Sequence, residues 1–458
     1  MKIFLVRPNL NKNITTIRNF MFGEPLGIEC LSTIFKEQGH EVEVLDFMAE
    51  SKKNFKKYIL SYKPDIVGFT SQCSDIANIL ILAREVKSID KNIIVLAGGV
   101  QVTISPEAYF DENIDYVFKS TTRENIKQLV HQVQNKTQDE IMSVYSKVLN
   151  FKATSSACRN EYVRADREST AKYRKKYKYT GYQPCAIIQT SYGCRNKCSF
   201  CVRVRLEGAN VVELPIGDVV EEIESIKEPY VMICDSDFLI SEERLLGFLD
   251  LIEQKNIKKT YICYGSVNSI LEKEYLFDRL SKNGLKAVIV GFESYDDTHL
   301  KKWNKSATID ENYKAKQVLY SSGIATWGTY ILHPDFSKQD FKKLIEYNKY
   351  LKPEFSSFTP LVPHPLTPLY EEYKDRLIFE KEDYEKWSFG DVVIYPLKMT
   401  LKQYHWEVLK LGIPANLNWH SIKYSLKTFP LKNTLRMMFG FNQILKIYVR
   451  NIFIGENR

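Results

Sequence analysis

Three absences narrow the class of protein that this sequence encodes. No uncharged apolar run reaches the roughly eighteen residues that a membrane-spanning helix needs. The apolar stretch near the N-terminus is too short for a secretory signal, and no repeat or low-complexity tract is found. The 458 residues therefore predict a globular protein of roughly two to three domains.

Because no secretory signal is found, we expect the nine cysteines to lie in a reducing compartment. In a reducing compartment thiols serve metals or the core rather than disulfides. We therefore expect a cytoplasmic protein. The net charge of +8 is modest, and two local concentrations of basic residues matter more than the total.

Three cysteines, Cys194, Cys198 and Cys201, follow a predicted strand within one short segment. Gly193 directly before them suits a sharp turn, because glycine reaches backbone angles that other residues avoid. Thiolates suit iron–sulfur clusters and zinc, and three ligands are one fewer than a closed structural zinc site needs. Two simpler alternatives stay open: a zinc site that borrows Cys185, and unliganded core cysteines.

The spacing C-x3-C-x2-C, with Phe200 before the third cysteine, resembles the signature of the radical S-adenosylmethionine (SAM) enzymes. In that family the cysteines bind three irons of a [4Fe–4S] cluster, and the fourth iron binds the amino and carboxylate groups of SAM. An electron from the cluster splits SAM into methionine and a 5′-deoxyadenosyl radical. The resemblance implies that Cys194, Cys198 and Cys201 are the cluster ligands, with flavodoxin or ferredoxin as electron donor.

Short apolar runs alternate with helical patterns over residues 1–145. This alternation predicts an α/β domain with a doubly wound, Rossmann-like parallel sheet. Ligands of such sheets lie beyond the carboxyl ends of the strands. The candidate binding residues at those ends are Thr70, Ser71, Gly98, Gly99, Val100, Thr103, Ser120 and Thr121.

Pro25-Leu-Gly27, Gly39-His40-Glu-Val and Gly98-Gly99 together resemble the cobalamin-binding domain fused ahead of many radical SAM domains. The resemblance implies a cobalamin held between this sheet and the radical domain. The D-x-H-x-x-G sequence that supplies a cobalt ligand in some cobalamin proteins is absent, so no histidine lower ligand is expected. Gln101 replaces the histidine often found in the Gly-Gly loop, and Ser120-Thr121-Thr122 replaces a more common Gly-Glu turn. An empty scaffold is the alternative.

Roughly six strand–helix units over residues 182–380 predict a partial (β/α)6 barrel, with functional groups at the carboxyl ends of its strands. By their match to resembling enzymes, Asp235, Asp237, Glu293 and Ser294 are candidate SAM contacts. A carboxylate suits the ammonium of SAM, although Asp237 is as readily a helix cap. Ser266-Val-Asn268 departs from the family's Arg-x-Asp, which leaves that strand's contacts open.

Two basic segments complete the chain. Residues 146–181 form a predicted linker rich in basic residues and tyrosines. This composition could indicate nucleic-acid contact, but it suits better a solvated segment that packs its tyrosines on the neighbouring domain. We therefore expect no nucleic-acid partner. Residues 381–458 form a predicted, mostly helical region with a basic amphipathic tail. Such a tail suits either the protein's own surface or peripheral contact with the inner membrane face.

The linker pattern and the segments around His333 and His364 are similar to a radical SAM subgroup that includes the hopanoid C-methylases. This resemblance implies a cobalamin-dependent (class B) methyltransferase acting on an unactivated carbon of a lipid or other small natural product. The alternatives are a radical cyclase, rearrangement or dehydrogenation enzyme, and a non-enzymatic metal-binding protein. The two histidines are candidates for acid–base work or for plain hydrogen bonding.

Overall fold

The computed structural model describes residues 1–9, 20–51, 54–72, 75–152, 161–387 and 390–454. The strands, in chain order, are β1 Lys2–Arg7, β2 Met21–Phe22, β3 Glu41–Asp46, β4 Ile66–Ser71, β5 Ile94–Gly99, β6 Tyr116–Phe118, β7 Val144–Ser146, β8 Lys178–Tyr179, β9 Cys185–Ile188, β10 Ser191–Tyr192, β11 Val212–Glu213, β12 Tyr230–Ile233, β13 Thr260–Gly265, β14 Leu285–Glu293, β15 Ala325–Leu332 and β16 Phe355–Pro360.

The α-helices, in chain order, are α1 Leu26–Glu37, α2 Phe55–Tyr62, α3 Ile76–Ile89, α4 Val100–Ile104, α5 Arg123–Asn135, α6 Arg203–Glu207, α7 Ile216–Ser225, α8 Glu242–Gln254, α9 Val267–Glu272, α10 Phe277–Lys282, α11 Asp297–Lys302, α12 Ile309–Ser321, α13 Lys338–Leu351, α14 Leu369–Tyr373, α15 Leu401–Asn416, α16 Trp419–Thr428 and α17 Leu431–Ile454. Short 3-10 helices lie at Pro106–Tyr109, Lys147–Leu149, Arg167–Lys176, Glu274–Leu276, Lys374–Arg376 and Tyr384–Lys386.

The chain divides into two compact units, and neither is one continuous stretch. Unit 1 comprises Met1–Ile14, Glu24–Lys175 and Glu380–Ser388. Unit 2 comprises Thr15–Gly23, Lys176–Phe379 and Phe389–Arg458. The predicted boundaries at residues 145, 181 and 380 stay predictions.

The sheet of unit 1 has the strand order β3-β1-β4-β5-β6-β7. The first five strands are parallel, and β7 joins the edge antiparallel to β6. Alternate side chains of β1 enter two separate hydrophobic clusters: Phe4 and Val6 one, Ile3 and Leu5 the other. Since successive side chains of a strand point to opposite faces, both faces of the sheet are covered, which confirms the doubly wound arrangement.

The main sheet of unit 2 is parallel, with the order β16-β15-β14-β13-β12-β9. Among these six strands, those that follow one another in the chain pair with each other, and helices of unit 2 connect them. Within the described residues the two outer strands, β9 and β16, do not pair with each other. This is the open, six-stranded parallel sheet expected of the radical SAM domain.

The basic segment before β8 is anchored in unit 1 by two of its arginines. Arg174 forms ion pairs with the buried Glu24 and Glu29, and Arg167 lies 3.6 Å from Glu24. Tyr173 is buried and donates to a glutamate oxygen at 2.6 Å. The prediction of a solvated segment is wrong for Arg167 and Arg174, because buried acids pair with them. The other basic residues of this stretch include four that are exposed as expected: Arg164, Lys172, Lys175 and Lys176. The expected tyrosine packing is confirmed for Tyr173. Residues 153–160 of this predicted linker lie outside the described residues.

The C-terminal region is helical, as expected, through α15, α16 and α17. Met437 of α17 and Phe429 before it join the hydrophobic cluster of the parallel sheet of unit 2. Gly181 makes room for this contact, because a Cβ atom there would collide with the Phe429 ring. No described helix is both long and apolar enough to cross a membrane.

Candidate active site

The cysteine loop follows β9 and lies between β10 and β11, two short strands that pair antiparallel. Gly193 has φ +83°, and a Cβ atom there would collide with the carbonyl oxygen of Asn210. The Cys201 amide donates to the Cys198 carbonyl at 3.2 Å, which forms a tight turn between two of the cysteines. The sharp turn expected at Gly193 is therefore required by both backbone angle and space.

Glu207 of α6 fixes the start of this loop. Its carboxylate accepts from the Gly193 amide at 3.2 Å, from Arg203 at 2.7 Å and from the Ser236 hydroxyl at 2.9 Å. Arg203 also donates to the Cys234 carbonyl at 2.9 Å, at the carboxyl end of β12. One ion pair thus ties the segment before the cysteines to the neighbouring strand end.

Asp235 fixes the same loop from the next position. It is 1% exposed, and its carboxylate accepts from the Thr190 amide at 2.6 Å, the Thr190 hydroxyl at 2.5 Å and the Ser191 hydroxyl at 2.8 Å. Burial raises the pKa of Asp235, and these hydrogen bonds oppose the rise. Both oxygens have partners within the chain, so Asp235 orients the cysteine loop; its predicted contact with SAM stays a prediction.

The three thiols are half-buried and act on one another electrostatically. Burial raises the pKa of Cys198 to about 11, Lys305 opposes the rise, and Glu293, Cys201 and Cys194 add to it. Burial also raises the pKa of Cys194, with Asp237 and Cys201 contributing. Metal binding deprotonates such thiols, because a cation outweighs the cost of burying a thiolate.

Two observations concern the alternative of a single zinc ion. Among the described residues, no group of three or more His, Cys, Asp or Glu side chains is placed to hold a single ion. Cys185, the fourth ligand of the alternative zinc site, lies buried in the hydrophobic cluster of the sheet. In a [4Fe–4S] cluster the thiolates do not share one ion, because each binds its own iron.

A buried carboxylate and a buried ammonium lie beside Cys198. Glu293, at the end of β14, has φ +62° and is 8% exposed, and its Oε1 lies 3.4 Å from Lys305 Nζ. A Cβ atom at Gly291 would collide with Glu293 Oε1 and lie 3.0 Å from Lys305 Nζ, so this glycine makes space for the pair. Burial raises the pKa of Glu293, while burial lowers that of Lys305 and is outweighed by Glu293 and Cys198.

The segment Trp303 to Lys305 closes over the cysteine loop from another part of the chain. The Ser199 amide donates to the Trp303 carbonyl at 2.9 Å, and the Asn304 side chain donates to the Lys197 carbonyl at 3.0 Å. The sequence-based predictions give Lys305 no role. No local signal could supply one, since about a hundred residues separate it from the cysteines.

The other two candidate SAM residues follow β12 and β14, which are separated in the sheet by β13. Asp237 accepts from the Ser269 hydroxyl at 2.7 Å and from the Leu239 amide at 3.2 Å, and its charge acts on both Cys194 and Lys305. Ser294 is fully buried and shares a hydrogen bond of 3.2 Å with His299 Nδ1. Asp237 therefore belongs to the charged group around the thiols, whereas the Ser294 hydroxyl is engaged with His299.

The two candidate histidines lie in hydrogen-bonded or buried positions. His333 Nδ1 accepts from the Asp335 amide at 3.1 Å, and Nε2 lies 3.2 Å from the Tyr373 hydroxyl. Burial lowers the pKa of His333 and of His364 to about 4. Their acid–base role stays a prediction.

In unit 1, the register of the sheet aligns the candidate cobalamin residues. Thr70 is paired with Gly98, and Ser71 with Gly99, at the carboxyl ends of β4 and β5. Gly99 has φ +108°, and a Cβ atom there would lie 2.7 Å from both the amide nitrogen and the carbonyl oxygen of Ser71. This position excludes any side chain and leaves backbone accessible at the strand end.

The next strand end adds polar atoms without partners. Thr103 donates to the Lys119 carbonyl at 2.8 Å and so ties the end of β6 to α4. Gln101 and Ser120 are buried, and within the described chain Gln101 Oε1 and Ser120 Oγ have no hydrogen-bond partner. Val100 beside them is 47% exposed. The half-buried Thr121 follows at the same edge.

Exposed apolar surface beside unsatisfied buried oxygens fits a large amide-bearing ligand such as cobalamin, because its amides would satisfy them. Not every candidate is free for such a contact. The Ser71 hydroxyl bonds to Asp75 at 2.7 Å and to Tyr109.

Comparison with known proteins supplies the family. The B12 binding domain family matches residues 16–130, and the Radical SAM superfamily matches residues 188–347. The hopanoid C-3 methylase of Methylococcus capsulatus is 23% identical over 97% of this chain and 87% of its own length. The bacteriochlorophyllide d C-8(2)-methyltransferase of Chlorobaculum tepidum is 24% identical over 81% of both chains.

Two solved structures share the fold. The radical SAM methyltransferase TsrM of Kitasatospora setae, with cobalamin and a [4Fe–4S] cluster bound, has a TM-score of 0.73 and 16% identity over 98% of this chain and 99% of its own. The cobalamin-dependent radical SAM enzyme OxsB has a TM-score of 0.73 and 15% identity over 98% of this chain and 71% of its own. The cofactors of the two matched domains are a [4Fe–4S] cluster, SAM and cobalamin. The chain is a radical SAM enzyme with a B12-binding domain.

Proposed function

We propose that this chain is a class B, cobalamin-dependent radical SAM methyltransferase that acts on an unactivated carbon of a lipid or other small natural product. The observation that carries the proposal is the pairing of two sites in one chain. One is a three-thiol loop beside buried acids and the Lys305 ammonium. The other is the group of strand ends in a B12-binding domain, where the candidate contacts are glycines, hydroxyls and Val100. The relatives named methylase or methyltransferase support methyl transfer.

When bound, the cluster supplies the electron that cleaves SAM to a 5′-deoxyadenosyl radical, and cobalamin supplies the methyl group. Cys194, Cys198 and Cys201 would hold the cluster. Asp237 and Glu293 would accept hydrogen bonds from the ammonium of SAM, and Lys305 would pair with its carboxylate. Asp237 and Glu293 are buried, the Lys305 side chain is 12% exposed, and each charge already has a partner, so the site is arranged before the ligand arrives.

The cobalamin contacts would come from the sheet edge of unit 1. Gly98, Gly99 and Thr70 would present backbone and hydroxyl groups, with Val100 against the apolar part of the ring. Ser120, Thr121 and Thr103 would contact its amides. No histidine in the described loops stands where the D-x-H-x-x-G sequence would supply a cobalt ligand, so the proposed binding has no protein ligand from that motif.

Product analysis tests the proposal. The reconstituted enzyme would be incubated with reductant, cobalamin and SAM labelled in its methyl group, using lipid extracts of the source cells as substrate. We expect S-adenosylhomocysteine and 5′-deoxyadenosine together, with label in a lipid or small-molecule product. Neither nucleoside would form if the chain were a non-enzymatic metal-binding protein.

A radical reaction without methyl transfer is the second candidate. Other relatives are an anaerobic magnesium-protoporphyrin IX monomethyl ester cyclase of Rubrivivax gelatinosus and a 4′-phospho-dehydrooxetanocin synthase of Priestia megaterium. In this case 5′-deoxyadenosine would form without S-adenosylhomocysteine. The ratio of S-adenosylhomocysteine to 5′-deoxyadenosine therefore separates the two candidates.

The remaining proposals concern partners and location. We propose a flavodoxin or ferredoxin as electron donor, a cytoplasmic location with peripheral contact at the inner membrane face, and no nucleic-acid partner. The domains are proposed as cobalamin-binding at 1–145, linker at 146–181, radical SAM at 182–380 and C-terminal region at 381–458.

A further inference from the structure

The last two helices expose large apolar side chains. On α17, Leu431 is 62% exposed and Phe439 is 69% exposed, and Leu435 and Met438 between them are also exposed. Their spacing places all four on one face of the helix. On α16, Trp419 is 73% exposed, and Leu426 is exposed as well. We call these six residues the apolar face: Trp419, Leu426, Leu431, Leu435, Met438 and Phe439.

The opposite side of α17 is already docked in unit 2. Met437 lies in the hydrophobic cluster of the parallel sheet, and the buried Tyr448 donates to the Gly390 carbonyl at 2.7 Å. Asn433 donates to the Gly181 carbonyl at 2.9 Å, and Arg436 donates to Gln183. These contacts fix the rotation of the helix, so the apolar face is turned away from its own unit.

The charge around the apolar face has one sign. From Val408 to Ile454 the sequence contains no Asp or Glu and seven basic residues, an excess of 7 − 0 = +7: Lys410, Lys423, Lys427, Lys432, Arg436, Lys446 and Arg450. Lys423 and Lys427 lie exposed on α16, and Lys432, Lys446 and Arg450 lie exposed on α17. Lys410 pairs with Glu407 at 2.7 Å, directly before this stretch. The region as a whole combines exposed apolar surface with an excess of positive charge.

We propose that the apolar face docks α16 and α17 on an anionic lipid surface. Apolar side chains flanked by exposed lysines are the combination that partitions into the headgroup boundary of a bilayer with acidic lipids. The 24-residue α17 would lie in the plane of the interface, because its basic residues are distributed along its whole length. An open apolar hollow of about 510 Å³, lined by Leu431, Leu435 and Phe439 with Lys432 and Arg436, would face the acyl chains.

A second copy of the chain fits this face less well. A two-fold interface presents the same patch on both partners. Lys423, Lys427 and Lys432 would then oppose the same cations of the other copy, with no acid in these helices to compensate them. An anionic lipid surface supplies the missing charge.

Vesicle sedimentation tests the proposal with the purified full-length chain, without cofactors or substrate. We expect binding to vesicles of equal parts phosphatidylglycerol and phosphatidylcholine, weak binding to phosphatidylcholine alone, and release at about 0.5 M salt, where charges are screened within a few ångströms. The variant Lys423→Glu/Lys427→Glu should lower the partition coefficient at least about twentyfold, since each basic residue near the surface is worth about fivefold.

A second variant separates insertion from charge attraction. Leu435→Ser/Phe439→Ser keeps the charge and should lower binding at least about tenfold, because two apolar side chains no longer enter the interface. The matched controls lie elsewhere in unit 2: Leu397→Ser, where leucine is 72% exposed, and Lys342→Glu/Lys349→Glu on α13. Both controls should bind as the parent chain does, and melting temperatures should show all variants folded.

Three outcomes overturn the proposal: equal binding to both vesicle types, loss of binding in the controls to the same extent, and a dimer that Leu435→Ser/Phe439→Ser converts to monomer. Failure of methyl transfer would leave the vesicle result unchanged, because binding requires neither the cluster nor a substrate.

Discussion

The proposed SAM site of unit 2 and the proposed cobalamin site of unit 1 differ in the chemistry of the residues that form them. Around the thiols of unit 2, Glu293 and Lys305 are buried as a pair, and Asp235 is fully hydrogen-bonded within the chain. Along the sheet edge of unit 1, the candidate contacts are glycines, hydroxyls and amides. A small zwitterion such as SAM requires fixed charges at fixed positions, whereas a large ring with amide substituents requires room and unsatisfied hydrogen-bonding groups.

The two sites also differ in the contacts that determine their backbone conformation. The cysteine loop is held by side-chain hydrogen bonds to Asp235 and Glu207, so it can be altered through single side chains. The unit 1 edge is held by the close approach of backbone at Gly99, where only a missing side chain permits the geometry. Mutations can therefore remove either site and leave the other intact.

The largest expected effect comes from Cys198→Ala. It removes one proposed iron ligand, and we expect loss of the cluster and of all 5′-deoxyadenosine formation, with cobalamin binding unchanged. Iron and sulfide analysis, nucleoside chromatography and visible absorption measure the three. Cys30→Ala, at a half-buried thiol of unit 1, is the control and should retain iron. Full activity of the Cys198 variant would contradict the assignment of the loop.

Gly99→Ala should break the other site. The new Cβ atom would lie 2.7 Å from backbone atoms of Ser71 at a backbone angle that side chains avoid, so we expect cobalamin affinity to fall at least about tenfold. Gly27→Ala on α1 is the control, because a Cβ atom there would meet no heavy atom within 4 Å outside its own helix and the residue is not a proposed cobalamin contact. Cobalamin titration should separate the two variants, with equal iron in both. Equal affinities would show that the glycine loop does not hold the ring.

Lys305→Met tests the charged group within unit 2. Without the ammonium, Glu293 is left buried and unpaired, and the carboxylate of SAM loses its proposed partner. We expect SAM affinity to fall about ten- to a hundredfold, with iron content unchanged, measured by equilibrium dialysis of the reconstituted protein. Lys302→Met is the control, because that lysine is 49% exposed and pairs with Glu372 at the surface. If both variants bind SAM alike, Lys305 has no part in the site.

The smallest effect concerns acid stability. Burial lowers the pKa of His333, His364 and His405, all in unit 2, to about 4. Between pH 6.5 and 4 the unfolded chain therefore binds protons that the folded chain does not, and stability falls as the pH falls. Each histidine contributes about 1.4 kcal/mol per pH unit in that window.

Unit-resolved hydrogen exchange at pH 7 and pH 5 measures this effect. His405→Gln should remove about a third of the pH dependence that the three histidines give unit 2. Charge reversal at exposed Lys342 is the control and should leave the slope unchanged. A slope that His405→Gln does not alter would assign the acid sensitivity to other groups.

The sequence predicted those parts of the molecule that local patterns determine. The strand–helix alternation, the sharp turn at Gly193 and the helical C-terminal region follow from short-range signals, and the structure places them as expected. Cobalamin and SAM as cofactors followed from the resemblance and are supported by both family matches.

Tertiary contacts could not be predicted in the same way. Asp235 and Asp237 look alike in the sequence, and only their partners, Thr190 and Ser269, distinguish a loop anchor from a member of the charged group. Lys305 approaches Cys198 through a fold contact that no spacing reveals. Arg167 and Arg174 of the linker were predicted to be solvated because their buried partners, Glu24 and Glu29, are distant in the sequence.

The discontinuity of the units has a consequence for how such a protein is cut and exchanged between genes. Residues 380–388 belong to unit 1, although the parallel sheet of unit 2 is completed between them and the rest of that unit. A gene fragment that ends at the linker would omit a piece of unit 1, and one that starts there would carry that piece without its surroundings. Recombination between relatives should therefore succeed by exchange of the whole chain, or by crossovers that keep residues 380–388 with unit 1 and Thr15–Gly23 with unit 2, rather than at the linker alone.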